Sequence, residues 1–97
     1  MADEKPNKIK YSNDPDHIRT ANMLRSLREE AELDSQVLAD LIGISRKTLS
    51  AIENCHLSAI SSLKKDVEIR WYKECQPRIS RKTKESFRDL LLNRFKF

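Results

Sequence analysis

Residues 34–54 read DSQVLADLIGISRKTLSAIEN, and the two short helices encoded there decide the fold. Asp34 is a good helix N-cap, because its carboxylate can accept from a free amide of the first turn. Val37, Leu38, Leu41 and Ile42 follow at three- and four-residue spacings, the apolar face of a helix. Gly43 stops that helix, since a residue without Cβ takes positive φ and turns the chain sharply. Ile44 is a single apolar residue in the turn. Ser45 is placed to cap a second helix, whose buried side is Leu49 and Ile52. Two short helices joined through a glycine turn make a helix-turn-helix. The second of them leaves Arg46, Lys47, Ser50, Ala51 and Asn54 on or near its outer surface.

Upstream, Asp14-Pro15 is a strong helix start, a capping residue followed by proline at the first helical position. Ile18, Ala21, Leu24, Leu27 and Ala31 recur on one face and predict a first helix of four to five turns. Glu29, Glu30 and Glu32 oppose the helix dipole at its far end. Residues 1–13 are polar and without periodicity, with Lys5, Lys8 and Lys10 around Pro6, and read as a flexible arm. Downstream, Ile60, Leu63, Val67 and Trp71 predict a fourth helix, which Pro77 ends. Ile69 and Tyr72 widen its apolar surface, so it should meet more than one neighbour. Phe87, Leu90, Leu91 and Phe95 give a last helix over about residues 81–95. The organisation expected is an arm at 1–13, a helical domain at 14–76 and a basic helix at 77–97. Only one glycine is present and no run reads as a strand, so the class is all-α.

The 97 residues are 38% hydrophobic and 35% charged, with a formal net charge of +4, enough for one domain with a modest core. That charge is uneven. Lys73 to Phe97 holds eight Lys or Arg against three acids, whereas residues 1–72 hold eleven against twelve. Such a basic segment can track phosphates, but a solvated face looks the same in sequence. Cys55 and Cys75 have no metal-ligand spacing and read as free thiols of a reducing, cytoplasmic compartment, with a Cys55–Cys75 disulfide as the alternative. His17 and His56 sit in no zinc or nucleophile signature. No metal, no cofactor and no enzymatic activity are expected. No apolar run is long enough to cross a bilayer.

Residues 24–54, LRSLREEAELDSQVLADLIGISRKTLSAIEN, resemble the helix-turn-helix of the phage Cro/CI and Xre-type repressor family. The motifs are LRxLRE followed by LAxLIGISRxTLSAIEN at the family's spacing, and they span about a third of the chain. The resemblance implies a compact, lambda-repressor-like bundle of about five helices that binds operator DNA as a dimer. It makes Leu38 and Ala39 the packing pair of the second helix, and Ile44, Leu49 and Ile52 the core side of the third. Arg46, Lys47, Ser50 and Ala51 fall where family members face base edges. Glu53 and Asn54 end that helix, and the glutamate is expected to tie back to Arg28. Ser35 stands where the family has a phosphate-clamping glutamine, with Gln36 next to it. Cys55 stands where glycine is usual, and the Pro-Ser-Leu entry to the fourth helix is missing.

Arg46 can offer two donors to guanine O6 and N7, Lys47 a point charge to the same edge or a phosphate, and Ala51 a methyl contact to thymine. Ser35, Gln36, Asn54, Arg78, Arg81, Lys82 and Lys84 are the expected phosphate contacts. Trp71, Phe87, Leu90, Leu91 and Phe95 are the candidates for a homodimer seam, with Leu92 and Phe97 broadening it. The alternative is that the last helix folds back on its own monomer. The expected function is that of a sequence-specific, double-stranded DNA-binding transcriptional repressor. The other class is a protein-interaction module, an antitoxin-like adaptor on a repressor-like fold.

Overall fold

The structure is a computed structural model and describes residues 9–94. It contains six α-helices: α1 (Pro15–Glu30), α2 (Ser35–Ile42), α3 (Arg46–Glu53), α4 (Leu57–Ser61), α5 (Lys65–Cys75) and α6 (Arg81–Arg94), with a 3-10 turn at Gln76–Arg78. Each early helix begins where its capping residue stands. The Asp14 carboxylate accepts from Asp16 N, Asp34 from Gln36 N, and Ser45 Oγ from Thr48 N. Gly43 closes α2 at φ +80, and its N–H donates to Ala39 O at 2.9 Å.

Leu24, Leu27, Leu38, Leu49 and Trp71 are fully buried and form the centre of the core. α2 packs against α3 and α5, while α1 meets α3, α4, α5 and α6. The Trp71 indole N–H donates to Leu24 O at 3.0 Å, so the largest core side chain also satisfies its polar atom. Leu38 and Ala39 are buried to the last atom, as the resemblance implied. Three apolar residues of the expected faces lie outside the core. Ile18, Val37 and Leu41 are each more than two-fifths exposed, and Thr20 takes the buried place on α1. The covered faces of α1 and α2 are therefore not the full apolar stripes that the periodicity suggests.

The fourth helix read from sequence is two helices. Ser61 Oγ donates to Leu57 O at 2.6 Å and Ser62 Oγ to Ser58 O at 2.8 Å. Hydroxyls bonding back four residues compete with the ladder and end α4 after five residues. The apolar stripe nevertheless runs through the break, with Ile60 buried and Leu63 and Val67 packed on the core.

α6 folds back on its own chain. Ser80 caps it through Thr83 N, and Glu30 at the end of α1 accepts from Ser80 N at 3.1 Å. Ile79, Phe87 and Leu90 are buried, and the Phe87 ring stacks on Tyr72 with centroids 4.5 Å apart. Trp71, Phe87 and Leu90 therefore belong to the core of one chain, which corrects the seam proposed for them. Leu91 is half-buried and Leu92 is 62% exposed; Phe95 and Phe97 lie outside the described residues.

The arm also needs correction over its second half. Residues 1–8 lie outside the described residues, but Tyr11 forms an isolated antiparallel bridge with His56. Leu57 N donates to Lys10 O at 2.8 Å and Ser12 N to Cys55 O at 3.0 Å. The bridge lies too far apart in sequence for any periodicity to reveal it.

Candidate nucleic-acid interface

α3 is held from behind by an ion pair. Arg28 Nε reaches Glu53 Oε2 at 2.6 Å, Nη2 reaches Oε1 at 3.0 Å, and Nη1 donates to Leu33 O at 3.1 Å. One guanidinium thus joins α1, the α1–α2 turn and the end of α3, in the bidentate geometry that suits carboxylate best. The hydrogen bond to Glu53 holds the Arg28 pKa above its ordinary value. Beside it, Arg25 Nη2 donates to Asn54 Oδ1 at 2.6 Å. Leu49 and Ile52 lock the inner side of α3 into the core. With that side fixed, Arg46, Lys47 and Ser50 are exposed and Ala51 is half-buried on the outer side. The four expected base-reading residues therefore share one surface.

The expected phosphate contacts divide. Ser35 is half-buried at the start of α2, and Gln36 is exposed with its amide bonded to Asp40 Oδ1 at 2.9 Å. The Asp34 carboxylate already occupies the Gln36 N–H, so acidic groups flank both candidates. Asn54 is exposed but committed to Arg25 and to Ser50, whose Oγ accepts from Nδ2 at 3.3 Å.

Arg78, Arg81, Lys82 and Lys84 are not brought to α3. Arg25 and Arg28 point from α1 towards α3, while Glu30 bonds Ser80 and Ser26 lines the groove between α1 and α6. At the helical pitch these two directions differ by about 150°. α1 stands between the basic helix and the outer side of α3, because the residues that dock α6 lie on the side of α1 remote from α3.

Sequence reading missed a second group on the α3 side. Ile9, Arg46, Lys47, Ser50, Ala51 and His56 line one open cleft of about 570 Å3. The Tyr11 and His56 rings meet edge to face, 5.2 Å between centroids. Between 9 and 13 and between 45 and 56 the sequence holds a single carboxylate, that of Glu53. It is buried against Arg28. The cleft that carries Arg46 and Lys47 is therefore lined by no acidic residue, although residues 1–72 as a whole are slightly acidic.

Residues 24–61 match the family model described as a helix-turn-helix. That segment is a helix-turn-helix, similar to those of the Cro/CI, Xre type. It runs from the middle of α1 to the end of α4, so α5 and α6 lie beyond the match. No curated protein and no solved structure matches the chain. The Cro/CI-type motif is one of DNA-binding regulators, and the family's glutamate–arginine tie is present here as Glu53–Arg28. Its usual glycine after the recognition helix is replaced by Cys55, which keeps the positive φ of +60. Among the described residues no group of three or more His, Cys, Asp or Glu is placed to hold a metal ion, and no helix is long and apolar enough to cross a membrane.

Proposed function

We propose that the chain is a sequence-specific, double-stranded DNA-binding transcriptional regulator, a cytoplasmic repressor that acts as a homodimer. The observation that carries this reading is the outer side of α3. Arg46, Lys47 and Ser50 project from a helix whose other side is clamped by Leu49, Ile52 and Glu53. A rigid helix with donors on its first turn suits the major groove, where base edges are distinguishable. Arg46 reads guanine, Lys47 a neighbouring edge or phosphate, and Ala51 a thymine methyl. Dimerisation follows from information content, since one motif of this size reads only a few base pairs and two copies double that number. Leu92 and the outer side of Leu91 remain for such a seam.

Selection of duplexes from a random pool, followed by titration at two salt concentrations, tests this reading. Affinity should fall steeply with salt. Arg46→Ala should cost about 1–3 kcal/mol on the selected duplex and far less on random duplex. Equal loss on both would make Arg46 a phosphate contact, and no binding at low salt would refute DNA recognition. Sedimentation with and without the selected duplex tests the dimer, which a monomer under both conditions would remove. One observation favours a protein-interaction role instead. Ile69, Tyr72 and Leu91 line a groove of about 340 Å3 between α5 and α6, away from the matched segment.

A further inference from the structure

Resting on the DNA-binding reading, we infer that Ile9, Tyr11 and His56 form a second wall of the DNA interface, which grips the sugar–phosphate strand beside the bases read by α3. The segment at 9–13 is fixed with more care than its sequence suggests. Two backbone hydrogen bonds tie it to the α3–α4 turn, from Leu57 N to Lys10 O and from Ser12 N to Cys55 O. Ser12 is buried, its Oγ lies 2.6 Å from His17 Nδ1, and it accepts from Asp14 N at 3.2 Å. This anchoring does not serve to bury the large side chains of the segment. Ile9 is 54% and Tyr11 59% exposed. Ordering a segment costs backbone conformational entropy at every residue fixed. The return from buried apolar area at Ile9 and Tyr11 is small.

What the anchoring does achieve is position. In an extended segment, residues two apart share a side. Ile9 and Tyr11 thus stand in one row, Tyr11 against His56 and Ile9 across the cleft from Arg46 and Ser50. Through Ile9 and His56 the row adjoins the α3 surface at the cleft, and none of the residues lining that cleft is acidic. A polyanion is the ligand that such a surface fits. Tyrosine hydroxyls and imidazole N–H groups are phosphate donors, and an isolated apolar side chain beside them packs on deoxyribose. Tyr11 Oη and His56 donate to one phosphate, and Ile9 covers the adjoining sugar. These contacts carry no sequence information, so they act on every duplex alike and fix the register in which Arg46 reads.

The test uses the intact chain, a duplex selected by it from a random pool, and the random pool itself. Tyr11→Phe removes only the hydroxyl and retains the ring on His56. It should weaken binding to both probes about five- to tenfold. Ile9→Ala should weaken both about threefold. Arg46→Ala is the control and should act mainly on the selected duplex. Thermal melts of each variant, unchanged within a few degrees, separate lost contact from lost folding. Wild-type affinity for Tyr11→Phe and Ile9→Ala, with Arg46→Ala impaired, overturns the second wall and leaves the recognition helix standing. A loss seen with Tyr11→Ala but not with Tyr11→Phe overturns it too, since the ring would then serve structure alone. If the wild type binds no duplex, or Arg46→Ala binds as well as wild type, the parent reading fails and the second wall falls with it.

Discussion

Breaking the Arg28–Glu53 pair should be among the most damaging single changes to this protein, and the two ways of breaking it should differ. Arg28 makes three hydrogen bonds across the pair and to Leu33 O. The Arg28 side chain is 17% exposed and that of Glu53 only 5%. Truncating one member of a buried pair costs about 3–5 kcal/mol, mostly because the other charge stays desolvated. Glu53→Ala leaves a guanidinium that still has Leu33 O and some access to water, and should fall near the lower end. Arg28→Ala leaves a carboxylate with almost no access to water and also unties the α1–α2 turn, so it should fall near the upper end. Against a total of roughly 5–15 kcal/mol for a domain of this size, either loss is large. The double change Arg28→Met with Glu53→Leu removes both charges and should cost less than Arg28→Ala alone. Urea unfolding followed by Trp71 fluorescence reads all three variants, because Trp71 is the sole tryptophan and is fully buried. Losses under about 1 kcal/mol for both single variants would place the pair with exposed salt bridges and refute the clamp. A double variant worse than the sum of the singles would refute the desolvation reasoning.

Glu32 is exposed and holds φ 58, so Glu32→Gly should raise the urea midpoint, by about 0.5–1 kcal/mol of stability, while Glu32→Val should lower it. Burial pushes the Cys75 thiol up to about 11, so at pH 8 a maleimide should label Cys55 alone in the native protein and both cysteines in urea. Hydrogen bonds from Thr83 and Ser80 hold the Glu30 carboxyl below its ordinary 4.5. Its contribution is therefore complete above that pH and is lost as pH falls through the lower folded value. Stability of the wild type relative to Glu30→Gln should narrow in the same window, and a constant difference from pH 6 to pH 3 would refute the tie. Removing residues 77–97 strips Ile79, Phe87 and Leu90 from the core; the shortened chain should melt well below the intact one, and an unchanged midpoint would show that α6 is not part of the fold.

The helix-turn-helix was legible because its determinants are local. Asp34, Gly43 and Ser45 each act within one turn of their own position, and Leu38, Leu49 and Ile52 repeat at a spacing that periodicity detects. Asp14 and apolar spacing also located α1, as the Asp14 cap bears out, and apolar spacing alone located α6, whose cap at Ser80 the structure adds. The break between α4 and α5 was less visible, since the apolar stripe runs unbroken through Ser61–Lys64 while the terminating bonds come from hydroxyls. What only the tertiary structure decided are the relations between distant elements. Which side of α1 receives α6 depends on docking geometry, and that choice set Arg78, Arg81, Lys82 and Lys84 apart from α3 and drew Phe87 and Leu90 into the core. The positive surface was likewise invisible to a count along the chain. Residues 1–72 are nearly balanced, but folding buries Glu53 against Arg28 and leaves Arg46 and Lys47 together on a cleft lined by no acidic residue. Charge along a sequence is a sum, whereas a ligand meets only the charges that folding leaves on one side.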